Sequence, residues 1–251
     1  MITVSVQSNI DQAIRELGVT IKAQVAYAAR KAVVKTAEDV RQAEIAEMKD
    51  VFDRPTPYTL RGVYNKLIQS NPPTARVWLK DDRGKGGAAA ADYLLPQIEG
   101  GNRRQKRFEY NLAMNGHLPF GWVAVPGHGA KIDAYGNMSV GQIKQILSAL
   151  GSAEMTLGYS ANRTVRSAKR RKNLPQFFVV MPGRGSHLHP GVYQRFKFAI
   201  GTAIKPVLIY VPAASYNVRL RFNDVAVRTI SRVVDRHFSA AMAEAKARGI
   251  K

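Results

Sequence analysis

The sequence predicts an α+β fold in which a mixed or antiparallel sheet packs against long N-terminal and C-terminal helices, with a central inserted helical or loop region. Three observations support this prediction: helical periodicity near both ends of the chain, strand-like segments beside each of these helices, and turn-rich sequence between them. A chain of 251 residues with 45% hydrophobic residues can bury a sizeable core. We therefore expect one domain over residues 1–251, with residues 102–175 inserted in it.

The first long helix is predicted from an apolar stripe in the first fifth of the sequence. Apolar residues recur at spacings of three and four from Ile10 to Val25, which is the pattern of an amphipathic helix seated on a core. The helix should continue to Met48. Pro55 and Pro57 then end it, because a proline excludes the helical conformation for the residue before it.

Two strands should follow this helix and form a hairpin. Residues 63–68 have strand character, and residues 76–80 alternate polar and apolar side chains with a period of two. The sequence Asn-Pro-Pro at residues 71–73 indicates a turn between them. The Gly- and Ala-rich residues 81–91 are predicted to form an exposed loop.

The inserted region contains two predicted helices. The first covers residues 103–115, which carry apolar side chains one helical turn apart. The second covers residues 141–150 and is better defined at its start. Ser139 can act as its N-cap, and Gln142, three residues later, can complete a capping box.

Two segments share the pattern of a short apolar strand followed by a Pro-Gly turn. They are residues 122–129, WVAVPGHG, and residues 178–185, FVVMPGRG. Either the two strands pair with each other and bracket residues 132–173, or they are unrelated strands that end in the same kind of turn. The sequence leaves both interpretations open.

The C-terminal part of the chain predicts two antiparallel strands and a long helix. Residues 207–211 and 218–222 suit the strands, with a loop between them. Asn223 or Asp224 can cap the final helix, whose apolar residues continue with helical spacing as far as Met242.

Positive charge is concentrated in the second half of the sequence. Residues 1–50 contain seven basic and seven acidic residues, residues 51–150 contain 13 and seven, and residues 151–251 contain 18 and four. The net charges are 0, +6 and +14, out of +20 for the chain. Solubility alone calls for a net charge of about 2–8, so the asymmetry indicates a polyanionic or acidic partner.

The most basic segment lies between residues 163 and 172 and is the predicted contact site for nucleic acid or an acidic partner. Whether helical or extended, it can contact phosphates without sequence preference. No aromatic side chain lies among its cations, so the segment does not itself provide a platform for stacked bases. Its cations are Arg163, Arg166, Lys169, Arg170, Arg171 and Lys172.

The sequence lacks the motifs of common enzyme classes. It contains no cysteine and no complete dinucleotide-binding, phosphate-loop or metalloprotease motif. His187 and His189 could supply two metal ligands, with His128 as a third, but a complete site wants further ligands that the last part of the chain barely offers. We interpret the adjacent Asp81 and Asp82 as a solvated turn. The prediction is a non-enzymatic protein with no metal, no cofactor and no small-molecule substrate.

Three parts of the sequence resemble a known protein family. Residues 28–37 read AARKAVVKTA, residues 93–101 read YLLPQIEGG, and a closing strand and helix are predicted within residues 207–248. These features resemble the minor tail protein Z family of lambda-like phages and the related tail-completion proteins, which have a helix ending in Lys-Thr-Ala and a stretch from tyrosine to glutamate and glycine. The resemblance covers about half the chain, and residues 102–175 depart from the family as an insertion.

The resemblance implies a virion structural protein that acts in tail completion or head–tail joining, as a subunit of a ring with a basic surface facing DNA or acidic neighbouring subunits. Its expected partners are other tail, neck or connector proteins, copies of itself, and genomic DNA. It would lie in the tail or neck of the virion after assembly in the host cytoplasm. The alternative is a cytoplasmic protein that binds nucleic acid non-specifically, and a nuclease or hydrolase is a third hypothesis. No segment is apolar enough to predict a membrane span.

Overall fold

The protein forms two compact units, each with its own sheet. The computed structural model describes residues 3–6, 19–82, 88–152, 176–183, 185–198, 201–213 and 215–250. Its helices and antiparallel sheets confirm the predicted α+β class with long N-terminal and C-terminal helices. Unit 1 consists of residues 1–100 and 216–251, and unit 2 is the continuous segment Gly101–Ser215. Unit 2 starts beside the predicted insertion, residues 102–175, but extends well beyond its end.

Unit 1 combines a three-stranded antiparallel sheet with two long helices and two short ones among the described residues. The strand order is β1-β3-β2. In chain order the elements are β1 (Thr3–Val6), α1 (Val19–Val51), α2 (Pro57–Leu60), β2 (Val63–Ile68), β3 (Thr74–Leu79), α3 (Ala90–Glu99) and, from the far end of the chain, α6 (Phe222–Ala247).

The long helices α1 and α6 pack antiparallel. Gln24 at the start of α1 donates a hydrogen bond to the carbonyl of Ile250, just beyond α6, at 3.1 Å. Further along α1, Asp39 Oδ2 lies 2.8 Å from His237 Nε2. Small side chains are buried along the same part of both helices and allow a close approach of their backbones. They are Ala28, Ala29 and Ala32 on α1, and Ala241 and Ala245 on α6.

The core of unit 1 lies between this helix pair and the sheet. In β3 the side chains alternate between buried and partly exposed, as the period-two sequence pattern predicts. The predicted hairpin is confirmed, with Val63 opposite Leu79 and Ile68 opposite Thr74. The core includes Val33, Val40 and Met48 from α1, Val63, Val77 and Leu79 from the sheet, and Phe222 and Ala226 from α6.

Unit 2 contains a four-stranded antiparallel sheet with the order β5-β8-β7-β6 and, among the described residues, two helices. Leu112 and Ile146 of the helices pack with Val192, Leu208 and Tyr210 of the sheet. A separate pair of two-residue strands lies at the ends of the unit. The elements are β4 (Gly101–Asn102), α4 (Arg107–Met114), β5 (Val123–Pro126), α5 (Val140–Ala149), β6 (Gln176–Val180), β7 (Gly191–Phe198), β8 (Gly201–Val211) and the first residue of β9 (Ser215–Tyr216).

The two similar strand-and-turn segments, β5 and β6 with their turns, belong to one sheet but do not pair with each other. They lie at its opposite edges, because β8 and β7 run between them. Their glycines also meet different requirements. A Cβ on Gly127 would lie 2.5 Å from the carbonyl oxygen of Pro206, whereas Gly183 has φ +77° and open space around it. The pairing interpretation is therefore wrong.

The predicted strand at residues 218–222 is also wrong. The backbone N–H groups of Arg219 and Leu220 both donate to the carbonyl of Gln97, at 2.8 and 3.0 Å, so the C-terminal part of α3 holds this segment in place of a partner strand. Helix α6 already begins at Phe222, with Arg221 at the N-cap position, and the predicted caps lie within its first turn. Residues 207–211 are the end of the longer strand β8.

Two smaller predictions need correction. Residues 90 and 91 were predicted in a loop, but they form the first turn of α3. Ser139 is the N-cap residue of α5 but makes no side-chain capping bond. Gln142 instead binds the preceding loop, accepting from Lys131 N at 2.7 Å and donating to Gly129 O at 3.0 Å. None of the described helices combines the length and hydrophobicity needed to cross a bilayer.

An ionisable side chain, Glu44, is buried in the core stripe of α1. It lies between Val40 and Met48, and all three side chains are fully buried. Neither of its carboxyl oxygens has a hydrogen-bond partner among the described residues. Burial, with a smaller contribution from Glu47, raises the pKa of Glu44 to about 9, and Arg228 opposes the shift. Glu44 is therefore protonated at neutral pH, because an unpaired charge in this position would be far more costly.

Replacing Glu44 by Met should stabilise unit 1 and flatten its pH dependence. The carboxyl ionises near pH ~4.3 in the unfolded chain but near pH 9 in the folded one. The stability that this pKa difference contributes is complete below the pKa of the unfolded chain. It is lost as the pH rises towards the pKa of the folded protein, by about 1.4 kcal/mol per pH unit. In urea unfolding, Glu44→Met should gain on the order of 4 kcal/mol more at about pH 8 than at about pH 5.

Glu44→Gln is the matched control for this experiment. Its amide does not titrate, so it should also lose the pH dependence, but it keeps an unpaired polar group in the core and should gain less stability than Glu44→Met. If all three proteins show the same pH dependence, Glu44 is not the buried neutral acid described here.

Candidate macromolecule-binding surfaces

The predicted contact segment lies outside the described residues. Its cations, Arg163, Arg166, Lys169, Arg170, Arg171 and Lys172, fall within residues 153–175, for which the structure describes nothing. Their role therefore stays a prediction from sequence. The structure does show the unit to which the segment belongs and the charges on the described part of that unit.

Unit 2 carries most of the excess positive charge. Residues 101–215 contain 16 Lys and Arg against three Asp and Glu, which gives a net charge of +13. Residues 1–100 and 216–251 together contain 22 basic and 15 acidic residues, which gives +7. The smaller of the two units thus holds about two thirds of the net charge. A field of one sign on this scale attracts polyanions over distances of about 10 Å at moderate salt.

One of the two described acids of unit 2, Glu109, is fully buried and neutralised internally. Arg103 donates to both of its carboxylate oxygens, from Nη1 at 2.8 Å and from Nη2 at 2.6 Å. The backbone N–H groups of Lys106 and Ala124 also donate to it, at 2.6 and 2.9 Å. This bidentate ion pair with two further hydrogen bonds fixes the start of α4 against β5. Glu109 therefore contributes no negative charge to the surface.

The other described acid of unit 2, Asp133, is exposed but its carboxylate closes a turn. Oδ1 accepts from the backbone N–H of Tyr135 at 2.9 Å and of Asn137 at 2.8 Å. Asp133 is thus the one described acid of the unit that lies at its surface. The exposed cations on its described residues include Arg104, Lys106, Lys131, Lys144, Arg195 and Lys205.

Helix α4 also presents an exposed apolar pair that sequence reasoning missed. Tyr110 and Met114 are 54% and 58% exposed and lie one turn apart, so they share a face of the helix. Leu112, in contrast, is fully buried in the core of unit 2. The signal was visible in the sequence, since residues 107–114 carry apolar residues on two faces. Exposed aromatic and Met side chains of this kind are typical of protein–protein contacts.

A groove of about 490 Å³ lies in unit 1 between α1 and α6. Its lining carries charges of both signs, with two acids on α1 and two arginines on α6. The buried Glu44 is not part of the lining. Because charges of both signs line the groove, it does not favour a polyanion. It is lined by Ala43, Ala46, Glu47, Asp50, Val225, Arg228, Thr229 and Arg232.

The side chains considered for metal binding are exposed in the structure. His128, His187 and His189 lie in or beside turns, and Asp81 and Asp82 follow β3. Among the described residues, no group of three or more His, Cys, Asp or Glu side chains could hold a metal ion. The described residues therefore provide no metal site of this kind, and the absence of enzymatic activity stays a prediction.

Comparisons with protein-family models, with curated proteins and with solved structures found no match to this chain. The resemblance to tail-completion proteins therefore rests on the quoted sequence segments.

Removing the buried carboxylate of Glu109 should destabilise unit 2. Glu109→Ala removes the carboxylate that pairs with the guanidinium of Arg103 and that accepts from two backbone N–H groups, and breaking a buried pair in this way costs about 3–5 kcal/mol. Unfolding in urea can be followed through Trp122, which lies in unit 2, in a Trp78→Phe background. Asp133→Ala, which removes an exposed carboxylate of the same unit, should cost only about 1 kcal/mol. Equal effects of the two substitutions would show that the Arg103–Glu109 pair does not organise this unit.

Proposed function

We propose that this protein is a non-enzymatic virion structural protein that acts in phage tail completion or head–tail joining. One observation supports the proposal most: unit 2 carries a net charge of +13, and its two described acids are used for internal contacts. Uncompensated cations on a folded scaffold attract an anionic partner without demanding a particular sequence. Such a partner would be genomic DNA or the acidic surface of a neighbouring subunit.

The proposal further assigns the protein to a ring of identical subunits at the tail or neck. Closed rings require contacts between two different surfaces of the same chain. The exposed Tyr110 and Met114 on α4 supply one apolar surface of the type that such contacts use. The sequence segments that resemble the tail-completion proteins support the same role. On this proposal the protein works without a cofactor, a metal ion or a small-molecule substrate, and reaches the virion from the host cytoplasm.

The same cations favour a second candidate function, a cytoplasmic protein that binds nucleic acid non-specifically. Charge alone serves both functions equally. The two differ in location and in the use of the apolar pair: a subunit needs Tyr110 and Met114 for contacts with copies of itself or with neighbours, whereas a non-specific binder works through its cations alone.

Electron microscopy of purified particles carrying a tagged copy of the protein should place it at the tail end or neck. A chain with both Tyr110→Ser and Met114→Ser should fold but should be depleted from particles by about tenfold or more, because each lost anchor of an interface costs roughly 1–2 kcal/mol. The particle-bound fraction can be measured by immunoblotting.

Tyr58→Ser is the matched control for the double variant, since Tyr58 is also exposed but lies on the short helix α2 of unit 1. It should be incorporated normally. A protein found only outside particles would contradict the proposed function, and normal incorporation of the double variant would contradict the assigned contact surface.

A further inference from the structure

The sheet of unit 1 has an outer face that the function proposed above does not use. The opposite face is closed by the core, where Val63, Val77 and Leu79 are buried beneath α1. Because side chains alternate along a strand, their neighbours point away from α1. The outer row consists of Tyr64, Lys66 and Ile68 on β2, and Thr74, Arg76 and Trp78 on β3, followed by Lys80.

Two aromatic rings lie side by side on this face. Tyr64 is directly opposite Trp78 in the register of β2 and β3, with 6.0 Å between the ring centroids and 38° between the ring planes. Tyr64 is 42% exposed, and Trp78 is partly exposed. Because both rings stand on a hydrogen-bonded hairpin, little conformational entropy remains to be lost when a flat ligand binds to them.

Cations surround the two rings. The Arg76 guanidinium lies 5.1 Å from the centroid of Trp78, and Lys80 Nζ lies 5.8 Å from that of Tyr64. Lys66 is opposite Arg76 in the same register and is exposed. None of the outward residues described on β2 and β3 is acidic, and Asp81 and Asp82 come only after Lys80, beyond the end of β3.

We infer that this outer face of unit 1 binds single-stranded nucleic acid. The exposed rings of Tyr64 and Trp78 offer surfaces on which unpaired bases stack, and Lys66, Arg76 and Lys80 are placed to contact the phosphates that connect those bases. Sheet faces that bind single strands combine these two components, because every base has an aromatic face and every nucleotide has a charge. In a duplex the bases are stacked on one another, so a duplex can engage only the cations.

This inference goes beyond the proposed virion role and does not depend on it. It concerns a different unit from the one that carries most of the charge. A protein that is absent from particles could still bind single strands, and one that is present could fail to do so. The two proposals therefore fail on different measurements.

The chain contains two tryptophans, Trp78 on this face and Trp122 in unit 2, which makes the test specific. In a Trp122→Phe protein the emission comes from Trp78 alone, and addition of a short oligothymidine should quench it as bases stack. In a Trp78→Phe protein the emission comes from Trp122 alone. It should not change, although anisotropy of a labelled oligothymidine should still report binding, because phenylalanine keeps an aromatic ring at position 78.

Removal of either ring should weaken binding of the oligothymidine. Tyr64→Ala and Trp78→Ala should each raise the Kd by about 5- to 150-fold, the range measured for the loss of one base-stacking partner. Lys66→Ala should reduce the dependence of log K on log salt concentration by about 0.7, as expected for one lost phosphate contact with a single strand. Tyr58→Ala, which removes an exposed ring elsewhere in unit 1, should leave the Kd unchanged.

Three results would overturn the inference. The first is binding of the oligothymidine without any change in Trp78 emission, which would assign binding to the cations of unit 2. The second is equal affinity for a duplex of the same length, which would show that stacking contributes nothing. The third is equal quenching of Trp78 by polyglutamate, which would identify the face as a contact for an acidic polypeptide.

Discussion

Unit 1 depends on the contact between α1 and α6, two long helices from opposite ends of the chain. Buried alanines bring their backbones close together, and an ion pair between Lys31 and Glu244 and a hydrogen bond between Asp39 and His237 fix their alignment. The sheet then completes the core on one side of the pair. Since α6 belongs to the same unit as α1, the whole segment from Gly101 to Ser215 lies between two parts of unit 1 in the sequence, and it forms a second unit with its own sheet and core.

This division permits the two units to differ in chemistry. Unit 1 balances its charges more closely, uses acids in interhelical pairs, and tolerates a protonated Glu44 within its core. Unit 2 has few acids, and the described ones, Glu109 and Asp133, hold the chain together internally. The proposal of an anionic partner rests on this excess of positive charge. The proposed role in tail completion or head–tail joining follows from that imbalance together with the sequence resemblance, whereas the inferred strand-binding face follows from the aromatic and cationic row on the sheet of unit 1.

Local patterns predicted the elements of unit 1 well, because those patterns act over a few residues. The apolar spacing up to Met48 predicted α1 from Val19 onwards, whereas the start of the predicted helix, from Ile10 to Gly18, lies outside the described residues. The alternation from Arg76 to Lys80 predicted β3 and also contained its outward row of Arg, Trp and Lys. Long-range arrangements were not predictable. Nothing local shows that β7 and β8 separate β5 from β6, that Gln142 binds a loop rather than capping its own helix, or that α6 packs over Glu44. The basic segment around Arg170 lies outside the described residues, so its role stays a prediction from the sequence.

The central claim is that the cations of unit 2 face an anionic neighbour, and lysine acetylation of the free and the particle-bound protein tests it most directly. Lys131 and Lys144 are exposed in unit 2, and Lys35 and Lys49 are exposed on α1 of unit 1. The account predicts that Lys131 and Lys144 lose most of their reactivity in particles, while Lys35 and Lys49 keep theirs. Undiminished acetylation of the two unit 2 lysines in particles would contradict it.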